Sequence, residues 1–191
     1  MNKLLISAAL AACAIALPTT ALAQAAPILI VDSDRIFSDC TACKSATTQL
    51  QQKQAAARAR AQTLQQQIQA EGKPLQDAAD ALNGKQPDAA LQQRIAAFQT
   101  KEKNAQQELE TAQRNFESIV ANVKLQIGNK LVAIVEQVRT TRRAAIVLNK
   151  NNTLANDGTI DVTGEVLAAL NQQLPSVTVA PLPQQSQPQG R

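Results

Sequence analysis

From Lys44 to Arg143 small or aliphatic residues recur at alternating spacings of four and three, with a single break. Before the break the seam reads Leu50, Gln54, Ala57, Ala61, Leu64, Ile68, Glu71, Leu75, Ala78, Leu82. After it the seam reads Leu91, Ile95, Phe98, Glu102, Ala105, Leu109, Ala112, Phe116, Ile119, Val123. This alternation is the heptad signature of helices packed along their length. The break, Asn83 to Asp88, supplies a glycine suited to a left-handed helix end and an aspartate suited to cap the next helix. The pattern predicts a long antiparallel helical hairpin. At about 1.5 Å per residue its helices are roughly 55–60 Å and roughly 80 Å long. A hairpin of that length cannot bury its own surface in a compact domain, so it must project as an arm.

The seam is chemically weak. The stretch holds 19 Gln and 18 Ala, and Ala, Gln and Glu fill many of its core positions. An alanine buries far less apolar surface than a leucine at about 25 cal/mol per Å². Gly72-Lys73-Pro74 interrupts the first helix, but Leu75 keeps the register, which favours a kink over an end and a flexible tip beyond residue 72. The second helix changes character after Val123. Ile127, Leu131, Ile134 and Val138 bring two spacings of four in a row, a stutter in the heptad. There it carries more apolar surface than one partner helix needs, and this part is expected to pack on a base.

The flanks supply short strands. Ile28-Leu29-Ile30-Val31 reads as a buried strand, followed by a turn of helix at Arg35-Ile36-Phe37 capped by Asp32, Ser33 or Asp34. Ala144 to Leu148 reads as a second strand, Asn149 to Asn152 as a polar turn, and Thr153-Leu154-Ala155 as a third strand. A further turn at Asn156-Asp157-Gly158 leads to Asp161-Val162-Thr163, which introduces a last helix with Val166, Leu167 and Leu170 on its apolar side. From Pro175 the chain is rich in Pro and Gln and is expected to be disordered. The fold class is therefore mostly α with a small β base. One domain spans 24–174, its base formed by 28–43 and 119–174 and its arm by 44–118, with the tip near 83–88. Two or three short strands make a poor core alone, so pooling the strands of several copies in a symmetric oligomer is the economical solution. Ile28, Ile30, Ile146, Leu148, Ile134 and Val138 are the candidate core of that shared base.

Residues 1–23 read as an export signal. A short basic start at Asn2-Lys3 precedes an apolar run from Leu4 to Leu17, and Ala21-Leu22-Ala23 has the small-x-small form of a cleavage site. Leu10-Ala11-Ala12-Cys13 resembles a lipoprotein box, but apolar residues continue past Cys13, and cleavage after Ala23 is favoured. The mature chain is then an exported, soluble protein.

Cys40-Thr41-Ala42-Cys43 sits where the first long helix begins. An oxidising compartment favours a local disulfide there. A packed unpaired pair, a bridge between subunits and a redox role at a helix start are the alternatives.

What the chain lacks narrows its chemistry. It has no His, Trp or Tyr and three Phe, so the ordinary proton shuttle at neutral pH and the commonest transition-metal ligand are missing. Nor is there an aromatic platform for single-stranded nucleic acid, a phosphate-binding glycine loop or a nucleophile elbow. No enzyme, cofactor or metal site is expected, and no nucleic-acid partner. Charge is uneven: between residues 44 and 143 there are 15 Lys and Arg against 9 Asp and Glu, a surplus of six. Cys40 to Ala70 contains no acid at all. Such a stretch suits anionic or unfolded acidic partners, including anionic lipid or polysaccharide.

The order of these parts resembles the Skp/OmpH family of periplasmic chaperones. The matching segments are the signal, Ile28 to Asp32 followed by Arg35-Ile36-Phe37, the hairpin, Ala144 to Leu148, and Asp161-Val162-Thr163-Gly164-Glu165-Val166-Leu167. The resemblance implies a homotrimer with a small barrel-like base and three arms around a cavity. Unfolded outer-membrane proteins would be held there without ATP. Lys53, Arg58, Arg60, Arg94, Lys101, Lys103 and Arg114 are then the candidate client contacts. The Cys pair and the Pro/Gln-rich tail depart from the family pattern. The alternative is an envelope adaptor using the hairpin as a spacer, although only about 20 residues lie between signal and hairpin.

Overall fold

The computed structural model describes residues 27–183; the expected signal, with Cys13, lies outside them. Strand β1 (Ile28–Val31) leads into α1 (Ser33–Asp39), α2 (Thr41–Asp80) and α3 (Ala89–Thr141). Strand β2 (Ile146–Asn149), two short 3-10 turns (Lys150–Asn152 and Gly158–Ile160) and α4 (Thr163–Gln173) follow.

Each helix end has a local cause. Asp32 accepts the Arg35 N–H at 2.9 Å and starts α1. Cys40 is extended and ends α1 while starting α2, its sulfur accepting the Cys43 N–H at 3.0 Å. The Thr41 N–H, left over at the same helix start, is taken by the Asn171 side chain of α4 at 2.8 Å. Helix α2 runs unbroken through Pro74, which is exposed, so the backbone group that the proline leaves unpaired lies toward water. Asn83 and Gly84 take positive φ (46° and 85°) in the turn, and Asp88 caps α3 through the Leu91 N–H at 2.8 Å. At the far end of α3, Ala144 N–H bonds to Arg139 O (2.9 Å) and Arg143 N–H to Thr140 O (3.1 Å). That is a Schellman closure with Arg143, at φ 53°, in the left-handed position usually given to glycine.

In the hairpin, Arg60 meets Glu108, Glu71 meets Lys101, and Gly72 meets Phe98. Numbering thus falls along α3 as it rises along α2. At the other end β1 and β2 pair in parallel, Ile28 opposite Ile146 and Ile30 opposite Leu148. An isolated bridge joins Ile30 to Asp161, with Val162 N–H on Ile30 O at 2.9 Å. Successive strand residues face opposite sides. Leu29 and Val31 enter one cluster with Ile36, the Cys pair, the face of α3 from Ile119 to Val138, and Val166 and Leu170 of α4.

Three expectations are corrected. Thr153-Leu154-Ala155 is not a strand: it pairs with nothing, and Leu154 is fully exposed. Its composition suits a strand, but Asp161 occupies the bridge position beside Ile30. The second strand begins at Ile146, two residues late, because Arg143 and Ala144 are used in closing α3. The tail is ordered as far as it is described. Residues 177–182 run along α3 with a bend at Ala180, and Gln126 both accepts the Thr178 N–H (2.9 Å) and donates to the Thr178 carbonyl (3.0 Å). Asn122 donates to Ala180 O (2.9 Å), Ser118 accepts the Leu182 N–H (3.0 Å), and Val177 and Val179 pack against the core. Residues 184–191 of the expected disordered tail lie outside the described residues.

Candidate functional site

The seven cations singled out on the arm fall into three groups. Arg60 is committed to the seam: its Nε and Nη2 donate to the two Glu108 carboxylate oxygens at 2.6 and 2.9 Å. These bonds and the guanidinium charge hold the Glu108 carboxyl below its usual range and raise Arg60. Lys101 also pairs across the helices, through one contact with Glu71 Oε1. Arg114 stays on its own helix, donating to Thr111 Oγ1 at 3.1 Å with Glu110 at 3.8 Å. Lys53, Arg58, Arg94 and Lys103 are exposed and, among the described residues, form no ion pair. The structure therefore separates four cations open to a partner from two that hold the hairpin.

The seam is open at its root. Every residue from 51 to 60 is exposed, and Leu109 is 38% exposed. A cleft of about 340 Å³ runs there between the helices, lined by Ala57, Ala61, Ala112 and Phe116, with Arg58 at its edge. Alanines opposite a leucine and a phenylalanine leave this gap because neither side reaches the other. Farther out, the ring of Phe98 fits over Gly72, where a Cβ would lie 2.9 Å from the ring tip.

At the base the second face of the sheet is uncovered at its Ile28 and Ile146 end. Ile28 and Ile146, directly paired, are 48% and 45% exposed. On the same face Ile30 is buried and Leu148 half-buried. Ile134 and Val138 belong to the chain's own core on the opposite side. The six candidate base residues thus divide, four onto this sheet face, of which Ile28 and Ile146 are open, and two into the interior. The outer side of α3 adds Leu125 and Val132, 52% and 70% exposed and seven residues apart, hence on one helix face. The last turns of the chain are tied to β1 by a polar knot. Asp32 N–H bonds to the buried Thr163 hydroxyl oxygen at 2.8 Å, and Asp161 accepts the Thr163 N–H at 2.9 Å. The Thr163 hydroxyl and N–H, with Lys150 at 3.4 Å, hold the Asp161 carboxyl below its usual range.

Cys40 and Cys43 form a disulfide, Cα atoms 5.1 Å apart, buried at the junction of α1 and α2. Among the described residues no group of three or more His, Cys, Asp or Glu converges as a metal site would require. What the geometry offers is surface: an apolar base face, a basic arm and an open cleft.

The family model described as outer membrane protein (OmpH-like) matches residues 27–170, from the residue before β1 to Leu170 of α4. The chain belongs to the OmpH-like family. Among solved structures it is similar to that of a candidate outer membrane chaperone, OmpH-like, from Caulobacter crescentus CB15. The two share 21% identity with a TM-score of 0.67, over 83% of this chain and 92% of the other. Among curated proteins none matches. In this OmpH-like chain the family match ends at Leu170, so the segment lying on α3 falls outside it.

Sequence reasoning missed Ser118, Asn122 and Gln126, the three side chains that hold that segment. Their spacing of four was visible, but on a helix full of glutamine it carried no distinguishing signal.

Proposed function

We propose that this chain is an exported, ATP-independent holdase of the periplasm. Three copies share the sheet faces of their bases, and their arms enclose a space in which unfolded outer-membrane proteins are kept from aggregating. The observation that carries this reading is the uncovered apolar end of the sheet face at the base. Ile28 and Ile146 stand side by side in water in the single chain, and a contiguous apolar patch of this kind marks an interaction surface. An 18-residue window of α3 is apolar enough for a membrane span, yet only 28% of it is buried within one chain. Packing against further copies accounts for that surplus without a bilayer. On the arm, Lys53, Arg58, Arg94 and Lys103 offer apolar stems and charged ends to a client. Many such weak contacts hold an unfolded chain better than one tight site, since each releases while others persist.

Native mass spectrometry of the chain from residue 24, alone and with an unfolded outer-membrane barrel protein, tests the reading. A trimer that takes up one client is the expected result. A monomer that ignores the client would remove the chaperone reading and leave an envelope adaptor. Binding only to anionic vesicles or polysaccharide would reassign the free cations to those partners.

A further inference from the structure

We propose that the flank of α3 formed by Ser118, Asn122 and Gln126 is a binding track for extended polypeptide with apolar residues at alternate positions. In the resting protein residues 177–182 fill it as a built-in competitor. The proposal rests on the chaperone reading above for the source of the incoming chain: an unfolded outer-membrane protein.

The track recognises backbone. All four hydrogen bonds to the segment run between an α3 side chain and a main-chain N–H or carbonyl of residues 178, 180 and 182. Gln126 offers its amide oxygen and nitrogen to the N–H and carbonyl of one residue, as a neighbouring strand would. Its nitrogen also lies 3.2 Å from Asn122 Oδ1, so the two rungs orient each other.

The register is commensurate. Rungs recur every four helical residues, a rise of about 6 Å. The rungs meet alternate residues of the segment: both backbone groups of Thr178, the carbonyl of Ala180, where the chain bends, and the N–H of Leu182. Side chains at this spacing therefore read the backbone of alternate residues, and leave selection to the apolar positions between them. Only the alternate positions Val177 and Val179 reach the core, and both remain partly exposed. Strands destined for a membrane barrel carry this same apolar alternation. The occupant is weakly held by side-chain contacts, and Pro181 and Pro183 add no outward N–H that would recruit a further strand.

A fluorescent peptide with the sequence of residues 176–183, Ser-Val-Thr-Val-Ala-Pro-Leu-Pro, is the probe, read by anisotropy. Thr178→Pro in the full chain removes the N–H that Gln126 accepts and frees the track. The peptide is expected to bind this variant about tenfold more tightly than the unchanged chain, where the tethered segment competes at high effective concentration. N-methylation at the peptide's threonine should weaken binding about fivefold, the worth of one hydrogen bond. Replacing its valines by isoleucine should change little. A second Gln126→Ala substitution in the released variant should weaken binding as the methylation does. A chain ending at Pro175 repeats the test should Thr178→Pro lose helix content by circular dichroism. Equal binding to released and unchanged chains, or indifference to N-methylation, overturns the proposal and leaves the segment a strut. Aggregation suppression by the unchanged chain, run alongside, separates the two readings. Suppression without peptide binding overturns the track alone, whereas peptide binding without suppression keeps the track and removes the chaperone.

Discussion

Helix α3 serves two regions under different rules. Toward its C-terminal end, Ile119, Val123, Ile127, Leu131, Ile134 and Val138 are all buried, with β2, α4 and the segment 177–182 packed around them. In the arm the same helix has one neighbour, and beyond Ala46 only Leu64 and Leu75 of α2 are buried. Backbone geometry does not change along the helix; the number of packing partners does. Opening free energy follows buried contact, so one continuous helix should be rigid at one end and soft at the other. The fold thus places compliance in the arm while leaving the base intact.

The contrast is tested most severely by equal truncations on each side. Ile134→Ala should cost about 3 kcal/mol in urea unfolding, because its surroundings are closed on every side. Leu64→Ala, buried in the arm with only one helix packed opposite, should cost less, about 2 kcal/mol. Amide exchange should be correspondingly slower in the base than across residues 60–105. Equal costs and uniformly slow exchange would mean that the arm is no softer than the base.

Acid should act on the base through Asp161, and Asp161→Ala should cost about 1 kcal/mol at neutral pH, as loss of a helix-start carboxylate does. Its folded-state pKa is depressed. Its contribution is therefore complete above the ordinary carboxylate value near 4 and is lost as pH falls through the lower folded value. The gap between variant and unchanged chain, followed by urea midpoints from pH 7 to 3, should close on acidification. A gap that widens would contradict the assignment.

In the arm, Gly72→Ala sets about 1–2 kcal/mol of overpacking against Phe98 against about 1 kcal/mol of gained helix propensity. A small net loss is expected, and Phe98→Leu in the same chain should reverse it to a gain. The smallest effect is expected at Arg143→Gly, where release of a left-handed arginine should raise stability by less than about 1 kcal/mol. No gain in thermal midpoint would show that the Schellman turn bears no strain.

The periodic parts of this protein were legible and the aperiodic ones were not. Alternating fours and threes place α2 and α3 within a residue or two of their ends, and Asp32 and Asp88 cap helices as short polar residues before apolar periodicity should. Gly72 was legible only as an interruption, because its role as a socket for Phe98 depends on a residue of the other helix. Thr153-Leu154-Ala155 misled because strand composition without a free partner edge makes no strand. The segment 177–182 was hidden by its Pro and Gln content. Val177 and Val179 alternate as a half-buried extended chain does, yet the partners are side chains of a helix, for which no sequence period exists. Of the candidate contacts, Arg60 and Lys101 differ from Lys53 or Arg94 only in what stands opposite, a fact of pairing and not of composition.

The parallel pairing of β1 with β2 has a consequence in time. Residues 32–145 lie between the two strands, and closing a flexible loop of that length would cost about 4 kcal/mol. A hairpin already zipped from its tip brings the ends of α2 and α3 together first and removes most of that cost. For a chain delivered N-terminus first, β1 emerges more than a hundred residues before its partner, and Leu170, which caps the core, arrives later still. The arm is then the early event and the base the late one, because non-local strands gain nothing until their separation has been closed. Until then Ile30 and Ile36 stand in water beside an unpaired strand edge, the exposure from which association with another chain starts.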